Sequence, residues 1–198
     1  ASCNSLQETL DYDFKTEKAF SYEGLSLVEA IKHLAKFTSD IWQIHPFGEG
    51  NTRATAVFII KYMRTFGLKV DNEAFKKHSW FFRNALVRAN YNDLQKGIHA
   101  TTKFLEMFFS NLLLGTDYEL KNRYAHIDFD FRDEEEDFQS AIKLISKCNG
   151  CTLDCTLDEL AVLKLIMENP SIKQYELAKC VGKSERTVKN ITTSLRER

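Results

Sequence analysis

At 198 residues the chain is long enough for one sizeable core, or for one domain with a small module beside it. A net charge of −1 supplies no bulk field to draw in nucleic acid, and 43% hydrophobic with 28% charged residues is ordinary for a globular fold. No apolar run approaches the ~20 residues that span a bilayer and no secretory leader is visible, so a cytoplasmic protein is expected. The chain opens on Ala1 without a methionine, and native residues upstream of it are expected. Residues 1–25 read as mixed and turn-like. Within them Thr9, Leu10, Asp11, Tyr12, Asp13 and Phe14 alternate polar and apolar side chains, which predicts a short extended piece. Residues 26–44 carry Leu27, Ile31, Leu34, Thr38, Ile41 and Trp42 at helical spacing. Pro46 cannot continue that helix and forces a turn just past His45.

The run Ala54, Thr55, Ala56, Val57, Phe58, Ile59, Ile60 starts a buried helix that reaches about Phe66, with Gly67 as its stop. Residues 75–89 and 102–114 predict two more apolar helices, the second ended by Gly115. The core is therefore all-α, and its aromatic stripes are packing. Residues 116–137 change character. Their acidic cluster, Asp133, Glu134, Glu135, Glu136 and Asp137, reads as a solvated helix start or linker. A helix over 135–146 then leads to the break at Asn149 and Gly150.

A separate unit is expected beyond that break, sharing little surface with the first. Thr156 and Glu159 have capping-box spacing, and Pro170 after Asn169 closes the helix they open. Ser171 and Gln174 open a second helix through Leu177, Ala178 and Cys180, and Gly182 turns the chain. Ser184 caps a third helix with Val188, Ile191 and Leu195 on one face, leaving Lys183, Arg186, Lys189, Asn190 and Arg196 for solvent or a ligand. This is the helix-turn-helix pattern of a winged-helix-like module, for which DNA and a protein partner both stand as candidates. The expected organisation is a core over 1–115, a helical linker over 116–150 and this module over 151–198.

The chain has five cysteines, an odd number that favours reduced thiols. Cys148, Cys151 and Cys155 have the spacing of part of a zinc site, but no fourth ligand lies nearby. Cys155 and Cys180 also fit small apolar positions.

The chemistry is concentrated in His45, Pro46, Phe47, Gly48, Glu49, Gly50, Asn51, Thr52 and Arg53. Gly48 and Gly50 let successive N–H groups curl round an anion, and the following helix points its positive end at the same place. Arg53 adds a fork of donors suited to phosphate. Glu49 supplies a carboxylate for a hard cation, and His45 a base. The remaining histidines, His33, His78, His99 and His126, read as hydrogen-bonded core residues.

These residues resemble the signature of the Fic family (filamentation induced by cAMP), HxFx(D/E)GNxRxxR, and the resemblance covers about residues 5–115. It implies an all-α bundle with a short β-hairpin flap, and transfer of AMP from ATP to a serine, threonine or tyrosine hydroxyl of a target protein, with self-modification. By matching positions, His45 is the base that takes the proton from the target hydroxyl, and Phe47 faces inward to anchor the loop. Glu49 holds Mg²⁺ between phosphates, Gly50, Asn51 and Thr52 present backbone N–H groups, and Arg53 neutralises the leaving diphosphate. Asn90 is matched to a position near the ribose and base. Residues 9–14 fall in the place of the flap, which pairs with the protein substrate as an added strand.

Two departures are visible. Thr52 stands where the family usually has glycine, its hydroxyl either reaching phosphate or filling space. Ala56 stands where the family's second arginine grips the γ-phosphate and pairs with an inhibitory glutamate; no [ST]xxxE[GN] helix is present in these residues. An inhibitor is then expected upstream or on a partner, or that restraint is absent. The loss of the arginine also leaves room for another phosphate-containing donor. A second class of function, a DNA-binding regulator whose core senses nucleotide, draws on the C-terminal unit, but it gives His45 no task.

Overall fold

The computed structural model describes residues 3–127 and 155–197. The acidic cluster at 133–137, the helix expected over 135–146, and Cys148 and Cys151 lie outside the described residues. Six helices make the first unit: α1 (Cys3–Ala19), α2 (Leu27–Gln43), α3 (Asn51–Thr65), α4 (Glu73–Lys77), α5 (Ser79–Asn90) and α6 (Lys103–Leu114). Among the described residues there is no strand, only one isolated antiparallel bridge between Asp93 and Ile98.

Helix α2 is the axis of this unit and packs against α1, α3, α5 and α6. Its start is set by a capping box: Glu29 N–H donates to Ser26 Oγ (3.3 Å), and Ser26 N–H donates to the Glu29 carboxylate (3.0 Å). Leu27, Ile31, Leu34 and Ile41 are buried as their spacing requires. Buried Thr38 satisfies its hydroxyl on Leu34 O at 2.6 Å. The helices at 75–114 are stapled by phenylalanines. Phe75, Phe82 and Phe108 meet at ring-centroid distances of 4.9 to 5.1 Å.

The extended piece expected over residues 9–14 is instead the middle of α1, and the turn-like reading of 1–25 is corrected with it. The reason is which side chains pack. Leu10 and Phe14, four apart, face the core, while Tyr12 between them is 69% exposed. Phe14 packs edge-on between Phe37 of α2 and Phe58 of α3, at 6.4 and 5.5 Å. One turn on, Glu17 is buried and accepts hydrogen bonds from Tyr22 (2.8 Å) and Tyr62, with His33 Nε2 at 2.7 Å. Burial and this carboxylate push both tyrosine hydroxyls well above their ordinary range, Tyr22 also through Tyr62. An edge-pairing flap at residues 9–14 is therefore replaced by a helix.

Three more helices follow: α7 (Leu157–Glu168), α8 (Gln174–Val181) and α9 (Glu185–Glu197). Thr156 forms the expected capping box with Glu159, Gly182 ends α8, and Ser184 Oγ accepts from Thr187 N–H at 3.1 Å. Their shared core includes Leu160, Leu177, Val181 and Val188. Cys155 is buried, but Cys180 is exposed, against its expected apolar position.

The two units meet at several points. Lys164 of α7 donates to Leu113 O at the C-terminal end of α6 (3.0 Å), where a cation suits the helix dipole. Lys69 pairs with Glu168, and Leu157 closes a cavity lined by Ile31, Leu34, Met63 and Leu113. Gly67, at φ +78, brings its backbone so close to α8 that a Cβ would stand 3.1 Å from Val181 Cα. Charge and turn patterns read along one segment at a time do not reveal this docking.

Candidate active site

The loop of residues 44–50 joins α2 to α3, and its two ends are tied by side chains as well as by the chain. Helix α2 stops at Gln43, with Ile44 as its C-cap. His45 then takes a left-handed conformation, φ 49, the place after a helix that usually holds glycine. Its backbone N–H donates to Trp42 O (3.2 Å) and its Nδ1 lies 3.3 Å from Gln43 O. The imidazole is exposed, and its packed neighbour is the Trp42 ring, edge-on at 4.5 Å.

Asn51, the first residue of α3, is buried and clamps the loop. Its Oδ1 accepts from Phe47 N–H (3.0 Å) and its Nδ2 donates to Phe47 O (2.7 Å). Phe47 therefore anchors the loop through its backbone, and its ring, expected to face inward, is 56% exposed. Of the two glycines, Gly50 uses its freedom, at φ 78 as the N-cap of α3; Gly48 is not in the left-handed region.

Helix α3 begins with no side-chain cap. Its first intrahelical bond runs from Ala54 N–H to Gly50 O (2.9 Å), so the N–H groups of Asn51, Thr52 and Arg53 precede the ladder. The exposed Arg53 guanidinium folds back over this end, with Nη2 3.5 Å from where a Cβ on Gly50 would stand. Glu49 is exposed beside it. A lone exposed carboxylate at a helix N-terminus fits a magnesium ion whose other ligands are water and substrate phosphate, rather than a cation caged by protein. No group of three or more metal-ligating side chains occurs among the described residues.

Thr52 does not point its oxygen idly. Its Oγ1 accepts the Trp42 indole N–H at 3.1 Å. Sequence reading counted Trp42 only in the apolar stripe of α2; the signal it missed is that a half-buried indole N–H needs an acceptor. Asn90 lies at the end of α5, with its Nδ2 donating to Ser39 Oγ and Leu86 O, both at 2.9 Å. That amide joins α5 to α2 through Ser39. Ala56 is buried, only 9% exposed, on the core face of α3, so an arginine there would meet packed side chains. Of the other histidines, His33 stacks on Phe20 at 3.4 Å and binds Glu17, as a core histidine should. Half-buried His78 separates α4 from α5, and burial followed by Lys77 lowers its basicity. His99 is exposed, which corrects its core reading.

No helix of the described residues is long and apolar enough to cross a membrane. No curated protein and no solved structure matches the chain. The loop and the two helices it joins nevertheless carry a family's pattern: the model of the Fic/DOC family matches residues 4–63, from α1 through the loop to Met63 of α3.

Proposed function

We propose that the protein is a Mg²⁺-dependent adenylyltransferase that moves AMP from ATP to a serine, threonine or tyrosine hydroxyl of a target protein, and also modifies itself. The match of residues 4–63 to the Fic/DOC family model supports nucleotidyl transfer in general. The observation that carries the finer reading is the uncapped start of α3, which lies across one short loop from an exposed imidazole. Free N–H groups, the helix dipole and Arg53 form an anion seat. His45 lies beside that seat, free to take a proton from an incoming hydroxyl, which is a poor nucleophile without a base. Glu49 would hold the magnesium ion, which when bound neutralises charge on the phosphates. The backbone N–H groups of Gly50, Asn51 and Thr52, together with the Arg53 side chain, bind and orient the phosphates, Arg53 also facing the charge that develops on the leaving diphosphate. Asn90 is kept as the residue nearest the ribose in this reading, acting through its carbonyl because its NH₂ is already bonded to Ser39 and Leu86.

Intact mass after incubation with ATP and Mg²⁺ tests the proposal. An added AMP on wild type, absent from His45→Ala that still binds nucleotide, is the expected result. A wild type that binds ATP and Mg²⁺ yet modifies neither itself nor a panel of candidate proteins would overturn it. A second reading, a nucleotide-sensing regulator that binds DNA, draws on Arg186, Lys189 and Arg196, exposed on or beside α9; Lys183 is already paired with Asp158 at 2.9 Å. Binding to duplex DNA with a shallow salt slope, about 3 or fewer phosphates neutralised, is what that small footprint allows.

A further inference from the structure

We infer that Thr52 and Trp42 are a positioning pair that holds the His45 imidazole in its working orientation, so that the side chain at 52 acts on the base rather than on the nucleotide. The inference rests on the reading of His45 as the base.

Three observations converge on it. The Trp42 indole N–H donates to Thr52 Oγ1 at 3.1 Å, which locks the indole across the gap between the end of α2 and the start of α3. The same indole meets the His45 ring edge-on at 4.5 Å. The imidazole has little else to hold it. It is exposed, its Nδ1 contact with Gln43 O is long at 3.3 Å, and its backbone sits in a left-handed conformation. An unpacked imidazole rotates about χ1 and χ2, and each rotation swings its nitrogens off the line of attack. An indole held in one rotamer removes part of that freedom before substrate arrives.

The hydrogen bond also separates Thr52 from its neighbours in the motif. Asn51 uses its side chain to fix the loop's backbone, through Phe47. Thr52 uses its side chain to fix the wall against which the base packs. A residue without an oxygen acceptor at 52 would leave the half-buried indole N–H unpaired, and the indole would turn to find water. Serine keeps the acceptor, whereas valine keeps only the shape.

The test follows the side chains directly. The chain has two tryptophans, so its indole N–H region holds two resonances, assigned with Trp80→Phe; the His45 ring protons are assigned with His45→Gln. In Thr52→Val the Trp42 indole N–H should move and exchange faster with water, and the His45 ring protons should shift with it as the indole's ring current moves away. Thr52→Ser should restore both. In transfer assays Thr52→Val should lose about tenfold in kcat with KM unchanged, the mark of a misplaced group and not of lost nucleotide binding. If Thr52→Val fails to fold, Thr52→Ala carries the same comparison, since it also lacks the acceptor. His45 ring protons that stay in place while the indole N–H is freed would overturn the inference. So would a rise in KM with kcat intact, which would put Thr52 on the nucleotide. A protein that transfers no nucleotide would end the proposed function, yet the resonance comparison would still decide whether Thr52 and Trp42 orient His45.

Discussion

Replacing His45 by alanine and by glycine separates the task of its ring from the strain of its backbone. At φ 49 the residue sits where an L side chain costs ~1–2 kcal/mol, a cost shared by histidine and alanine but not by glycine. Glycine gives back ~0.4–1 kcal/mol through the greater freedom of its unfolded chain. The net expectation is that His45→Gly is about 0.5–1 kcal/mol more stable than His45→Ala. Both variants lose the edge-on contact with Trp42, a pair worth ~0.5–1.5 kcal/mol, so that term cancels between them. Against wild type the glycine variant is then close to neutral, and alanine is the least stable of the three. A chain of this size changes its melting temperature by about 2–4 °C per kcal/mol, so the two variants should differ by ~1–4 °C. Parallel thermal and urea melts measure the difference, and labelled ATP should show both variants inactive. A glycine variant no more stable than the alanine variant would refute the reasoning. It would mean that the left-handed turn at the end of α2 is not what the side chain at 45 has to tolerate.

Asn51→Ala removes both bonds to Phe47 and should cost about 1–3 kcal/mol in urea unfolding, because the loop's backbone groups lose their only side-chain partner among the described residues; a loss below ~0.5 kcal/mol would deny the clamp. Gly67→Ala should destabilise the protein by about 1–3 kcal/mol more than Gly24→Ala, since both have left-handed backbones but only Gly67 abuts Val181 and Cys180; equal losses would show that α8 does not dock there. The hydroxyl and then the backbone N–H of Ser26 hold the Glu29 carboxyl below its usual range. Its contribution is therefore complete above the unfolded-state pKa, ~4.3, and disappears as pH falls through the lower folded-state value. The stability difference between wild type and Glu29→Gln should accordingly be constant near neutrality and shrink on acidification, and a difference that grew in acid would reverse the sign of the linkage.

Much of the molecule follows from local rules. The stripe Leu27, Ile31, Leu34 and Ile41 has one helical solution, and Ser26, Thr156 and Gly182 mark ends that any neighbouring structure would respect. Pro46 ends α2 whatever surrounds it. The chemistry of the loop is equally local, since a base, a carboxylate, a glycine turn and an arginine lie within reach of one helix start. Residues 9–14 were open to two local solutions. Alternation of polarity favoured an extended piece, and only the pocket between Phe37 and Phe58 selects the helix that delivers Phe14 into it. Nor does spacing disclose which way a half-exposed ring turns, so Phe47 outside, Ala56 inside and Asn90 on Ser39 became legible only from packing.

Residue types in order, by themselves, determined the helical class, most helix ends and the gathering of a histidine, a carboxylate and an arginine around one helix start, because each depends on spacing within one or two turns. The tertiary structure alone decided that α1 is a helix, that α7 and α8 touch the first unit, and that Thr52 is bonded to Trp42 beside His45. Those outcomes depend on contacts between segments distant in the chain or turned toward each other across a loop, and such contacts are chosen by shape and by the need of each buried donor for an acceptor.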